Sequence, residues 1–158
     1  MTSASFSLDI VGEIPEGIET GPLMRVATVL TDQQEALNLP LGRVNVAFVT
    51  DDVIATMNRQ YSGNDYATDV LSFNYLETGE AIDGVVGEIV IAYEIAATQA
   101  RDAGTTTDAE IALLGLHGVL HIAGHDHQDQ QSQQELSGIQ AKLMQAAGVQ
   151  YREFAWQE

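Results

Sequence analysis

Four histidines fall between positions 117 and 127, and the chain of 158 residues has no others. The stretch reads His117-Gly118-Val119-Leu120-His121-Ile122-Ala123-Gly124-His125-Asp126-His127. Histidine is the commonest metal ligand and titrates nearest neutral pH. His117 and His121 stand four apart, so on a helix they share one face, one turn from each other. Gly124 follows, and glycine suits the left-handed conformation that ends a helix and turns the chain back. His127 then returns towards the same point in space. The pattern, H-x3-H-x5-H with a glycine at the bend, has the spacing of the long metzincin zinc motif. Three imidazoles leave a fourth tetrahedral position for water, whose pKa zinc lowers to about 7. The expected cofactor is one Zn2+ ion on His117, His121 and His127, although nickel, cobalt and copper also accept nitrogen ligands. His125 comes after the helix end and is read as lying outside the ligand set. Asp126 is a candidate to orient a ligand imidazole, as carboxylates often do.

One absence limits the chemistry. A zincin protease carries glutamate directly after its first histidine as general base. Gly118 stands there, so peptide hydrolysis by that route lacks its base. The chain has no cysteine, which excludes disulfides and thiolate metal sites. Six Lys plus Arg stand against 23 Asp plus Glu, a net charge of −17. Such a chain repels polyanions at long range and argues against a broad basic nucleic-acid groove. The acidic balance reads as a solvated surface. No apolar run reaches membrane-spanning length, and the start, Met1 to Phe6, has no export pattern. The expectation is a cytoplasmic protein without a membrane partner, a single domain over 1–158.

The histidines need elements to hold them. Ile111, Leu113, Leu114, Leu116, Val119, Leu120 and Ile122 go almost all round a helix, which should therefore be central and buried. Thr107-Asp108-Ala109-Glu110 reads as the capping box that launches it. Ser132-Gln133-Gln134-Glu135 reads as a second, opening a last helix with Leu136, Ile139 and Leu143 inward. Upstream, Phe6 to Val11, Arg43 to Val49, Val70 to Tyr75 and Val85 to Ala92 read as strands. The last is apolar enough to be covered on both faces. Pro22 opens a helix with Leu23, Val26, Ala27 and Leu30 inward, running to about Leu37. A short helix follows Thr50, with Val53, Ile54, Met57 and Tyr61 inward, and another spans Glu94 to Ala103. The fold class is α+β: a small mixed sheet of about four strands, with the histidine helix packed across it.

These blocks together resemble the YbeY family of endoribonucleases and rRNA maturation factors. The family signature H-G-x-L-H-L-x-G-Y-D-H matches 117–127 except for Ile122 and His125. Met57-Asn58-Arg59-Gln60-Tyr61-Ser62-Gly63 resembles the family's L-N-x-x-Y-R-G. Thr68-Asp69-Val70-Leu71-Ser72-Phe73 matches its T-D-V-L-S-F, and Gly87-Glu88-Ile89-Val90-Ile91 resembles its G-D-I-V-I. The resemblance spans about residues 44 to 145. It implies zinc on His117, His121 and His127, and metal-dependent cleavage of single-stranded RNA in ribosomal RNA maturation. It also implies partners in the small ribosomal subunit or its assembly proteins. Ser62 stands where the family has an arginine thought to meet RNA phosphate, and Glu88 replaces its aspartate. Arg59, one helical turn earlier, is the candidate to take over the phosphate contact. The catalytic group is unassigned, with Arg59 and Asp126 as candidates. Two rival readings are a zinc hydrolase of a peptide or amide, and a non-catalytic ribosome-assembly factor with structural zinc.

Overall fold

The structure is a computed structural model that describes residues 5–63, 68–125 and 129–151, apart from the side chain of Ser62. Among the described residues four strands form one sheet: β1 (Phe6–Ile10), β2 (Gly42–Val49), β3 (Val70–Asn74) and β4 (Val85–Ala92). Their spatial order is β1-β2-β4-β3. The first three run parallel, and β3 lies antiparallel to β4 at one edge. The helices are α1 (Gly21–Asp32), α2 (Asp51–Ser62), α3 (Tyr75–Thr78), α4 (Tyr93–Ala103), α5 (Thr107–Ile122) and α6 (Gln130–Ala146). This is the expected α+β architecture with a mixed sheet.

Strand β4 lies between two neighbours and is covered on both faces, which its near-continuous apolar sequence requires. Ile89 and Ile91 point into the main core with α1 and α5, while Val90 and Ala92 join a second cluster with Ile54 of α2. On α5 every residue from Ala109 to Leu120 is buried. Leu113, Leu114, Leu116 and Leu120 each contribute roughly 1.5–3 kcal/mol by burial. Tertiary packing, more than helix propensity, thus holds the helix that carries the histidines. No helix among the described residues is long and apolar enough to cross a membrane.

Several boundaries differ from the sequence reading. Helix α1 stops at Asp32, not near Leu37; residues 33–38 form turns and Asn38 takes a positive φ of 57°. Leu37 and Leu39 are buried all the same, so their apolarity belongs to a packed turn and not to another helical turn. The inner face of α2 is Ile54, Met57 and Asn58, whereas Val53 and Tyr61 are exposed. The cap of α5 is Thr106, whose side chain accepts from Ala109 N, and not Thr107. The cap of α6 is Asp129, which accepts from Ser132 N at 2.7 Å, so Ser132 is inside the helix. The short α3 was not expected; it takes Tyr75 from the end of β3 and is capped by Asn74 Oδ1 accepting from Glu77 N.

Candidate active site

Helix α5 ends as the glycine predicted. Gly124 has φ +94°, a conformation that glycine alone adopts without a Cβ penalty. Gly124 N donates to His121 O, and His125 N to Leu120 O, which is the paired pattern of a Schellman motif. His125 then donates from Nε2 to the Leu37 carbonyl at 2.9 Å, tying the chain after the bend to the turn behind α1. Asp126 and His127 lie outside the described residues.

His117 and His121 face the same way, about 6 Å apart along the helix axis. His117 is buried, and its Nδ1 meets Gln140 Oε1 of α6 at 2.7 Å, where Gln140 is buried as well. An amide oxygen only accepts, so Nδ1 carries the proton and the lone pair of the neutral ring sits on Nε2. Metal-ligating histidines are commonly held in this way through their other ring nitrogen. The donor set therefore fits an imidazole-bound metal at His117 and His121. Among the described residues no group of three potential ligands comes together, and the third expected ligand, His127, is not one of them. Gly118 lies against the sheet: a Cβ there would meet three side-chain atoms of Ile89 at 3.0 to 3.1 Å. The position that holds a zincin's glutamate thus points into the core of this fold.

His121 is exposed and opens on a cleft of about 520 Å3. The cleft runs from α2 along β3 to the end of α5, with Tyr61, Phe73, Tyr75 and Glu88 among its lining residues. Asn74 joins its walls, donating from Nδ2 to the Ile122 carbonyl at 3.2 Å while it caps α3. Glu88 pairs across the strands with Phe73, and burial pushes its carboxyl above the usual glutamate range. The Tyr75 phenol is likewise pushed up, first by burial and then by Glu88 and Glu80. The sequence signal for Gln140 is a polar residue one turn after Leu136 on an apolar stripe. The aromatic lining had none, because its members come from three elements.

The family model for endoribonuclease YbeY matches residues 19–148. The chain belongs to the endoribonuclease YbeY family. An endoribonuclease YbeY from Carboxydothermus hydrogenoformans is 36% identical over 129 residues, covering 78% of this chain and 89% of the relative. One from Bacillus cereus is 30% identical over 154 residues, covering 92% and 98%. The match to one from Ralstonia nicotianae, 38% identical over 107 residues, covers 68% of this chain and 56% of the relative. A Thermotoga maritima protein known from its solution structure shares the fold, with a TM-score of 0.59 and 27% identity over 90% of this chain and 88% of that one. Of the positions that YbeY-family motifs single out, Tyr61, Phe73, Glu88 and His121 line the cleft; Arg59, the candidate for the phosphate contact, is exposed on α2 and is not among the lining residues. Ser62 ends α2, with its side chain outside the described residues.

Proposed function

We propose that this chain is a metal-dependent endoribonuclease that cuts single-stranded RNA during ribosomal RNA maturation. It acts in the cytoplasm, beside the small ribosomal subunit or its assembly proteins. Its cofactor is one zinc ion on His117, His121 and His127. The observation that carries this reading is the buried His117–Gln140 pair one turn from His121, which opens on the cleft. Family membership supports RNA as the substrate.

A zinc ion bound there supplies Lewis acidity at a phosphate oxygen. The chain's own groups do the positioning. Gln140 keeps the His117 lone pair on Nε2 and stops the ring from turning. The packed α5 holds His117 and His121 at fixed spacing. Asp126 orients an imidazole, and Arg59 meets a phosphate next to Ser62. With a net charge of −17 the protein does not steer RNA from a distance. Presentation of the RNA by a ribosomal partner supplies the encounter.

The test is metal analysis of the purified protein, with cleavage of an unstructured RNA by wild type, His117→Ala and His121→Ala. Wild type should carry zinc and cut; the variants should keep their circular dichroism and lose cleavage. Unfolding of His121→Ala would indicate structural zinc instead. Chelator-sensitive casein cleavage with RNA left intact would indicate the peptide hydrolase. Products ending in a 2′,3′-cyclic phosphate would identify a ribose hydroxyl as nucleophile, and 5′-phosphate ends would identify water.

A further inference from the structure

Three aromatic rings meet in the cleft from three elements: Tyr61 near the end of α2, Phe73 in β3 and Tyr75 at the start of α3. Tyr61 and Phe73 are edge to face, with centroids 5.1 Å apart and planes at 71°. Phe73 and Tyr75 are nearly parallel, at 6.3 Å and 18°. Phe73 is anchored from beneath, packed on the cluster of Ile54, Val90 and Ala92. Tyr61 is 67% exposed, although α2 already buries Ile54 and Asn58 on its inner face. Most of the Tyr61 ring thus stays open to solvent, with Phe73 as its ring contact.

The rest of the lining explains what such rings can do. The cleft presents Glu77, Glu80 and Glu88, and its described lining includes no lysine or arginine. Neutralisation of phosphate, which dominates most nucleic-acid binding, has no groups to work with on these walls. A π-face does not depend on charge. Aromatic side chains stack on any base, but only on one that is already splayed out of a helix. The cleft volume of about 520 Å3 lies in the range of sites that take small organic groups.

We propose that Tyr61, Phe73 and Tyr75 form a stacking platform that receives unpaired RNA bases, while His121, which lines the same cleft, faces the phosphate to be cut. The inference rests on the ribonuclease reading and extends it. Affinity comes from stacking more than from counterion release. A paired RNA offers the platform no exposed base face, so the same rings give the enzyme its preference for single strands.

The experiment compares metal-loaded wild type, Tyr61→Ala, Tyr75→Ala and the two Tyr→Phe variants. Two probes compete in the cold for binding by fluorescence anisotropy: an unstructured oligoribonucleotide and an abasic ribose-phosphate oligomer of equal length. Cleavage by wild type is followed in parallel, and melting curves check folding. Wild type should prefer the base-bearing probe. Each alanine variant should bind it about 5- to 150-fold more weakly, with the abasic probe unaffected. Both phenylalanine variants should bind like wild type, because the ring and not the hydroxyl carries the contact. Equal binding of the two probes, or alanine variants that bind like wild type, overturns the platform; if wild type still cuts RNA, the ribonuclease reading survives. Stacking-dependent binding without cleavage keeps the platform and removes the nuclease. Neither binding nor cleavage removes both.

Discussion

Gln140 is a polar side chain on an apolar stripe, buried between Leu136 and Leu143 on α6. Its oxygen is the partner of His117 Nδ1. Gln140→Leu keeps the volume and removes the acceptor. Zinc affinity should fall about 10- to 100-fold in a competition titration against a chromophoric chelator. The N–H left buried at His117 should cost about 1–3 kcal/mol of stability in urea denaturation. Glu88 makes a prediction of the other kind. Burial raises its carboxyl pKa, so folding disfavours the ionised form. Below the usual glutamate range it is protonated in both folded and unfolded chains, and it costs nothing. As pH rises through that range and on through the raised folded value, the wild type loses stability. Glu88→Gln removes this titration. Its melting temperature should exceed that of wild type at neutral pH and match it in acid. Equal melting temperatures at both pH values would rule out the effect.

Among the elements, α5 is set by close approach. Gly118 lets the helix lie directly on β4, where Ile89 fills the space that a side chain would need. Gly118→Val should cost about 1–3 kcal/mol by overpacking, seen as a lower urea midpoint with unchanged slope. Retention of full stability would show that Ile89 can step aside. The start of this helix shows why local signals place elements better than they place ends. Thr106 and Thr107 are both competent caps, and either reading satisfies the sequence rule. The choice of Thr106 leaves Asp108 in the first turn, where its Oδ1 accepts from Glu19 N at 3.0 Å, a contact 89 residues away. Likewise, Asp129 and Ser132 compete to begin α6, and the side chain of Asp129 takes the N–H of Ser132.

At the scale of the molecule, charge dominates. A net charge of −17 in so small a chain repels itself, and self-repulsion destabilises the compact state. Arg43 reaches Asp9 only at 4.0 Å with both side chains about half exposed, a contact that offsets little of it. Raising sodium chloride from about 0.02 M to about 0.5 M shortens the screening length several-fold. The melting temperature should rise across that range; a fall would mean that attractive pairs outweigh repulsion.

The sequence by itself determined what depends on neighbours along the chain. Those features are the buried, largely apolar α5, the one-turn spacing of His117 and His121, the bend at Gly124, the apolar β4 and the lack of a base at Gly118. Each follows from periodicity or backbone preference over a few residues. The tertiary structure alone decided what depends on sheet order and helix docking. It brought Gln140 to His117 across 23 residues of sequence. It turned Tyr61 outward and gathered it with Phe73 and Tyr75 at the edge strand. Register and docking are fixed by burial summed over the whole core, which no local pattern encodes. The spacing of the histidines was therefore legible in the sequence, and the side chains that hold and face them were not.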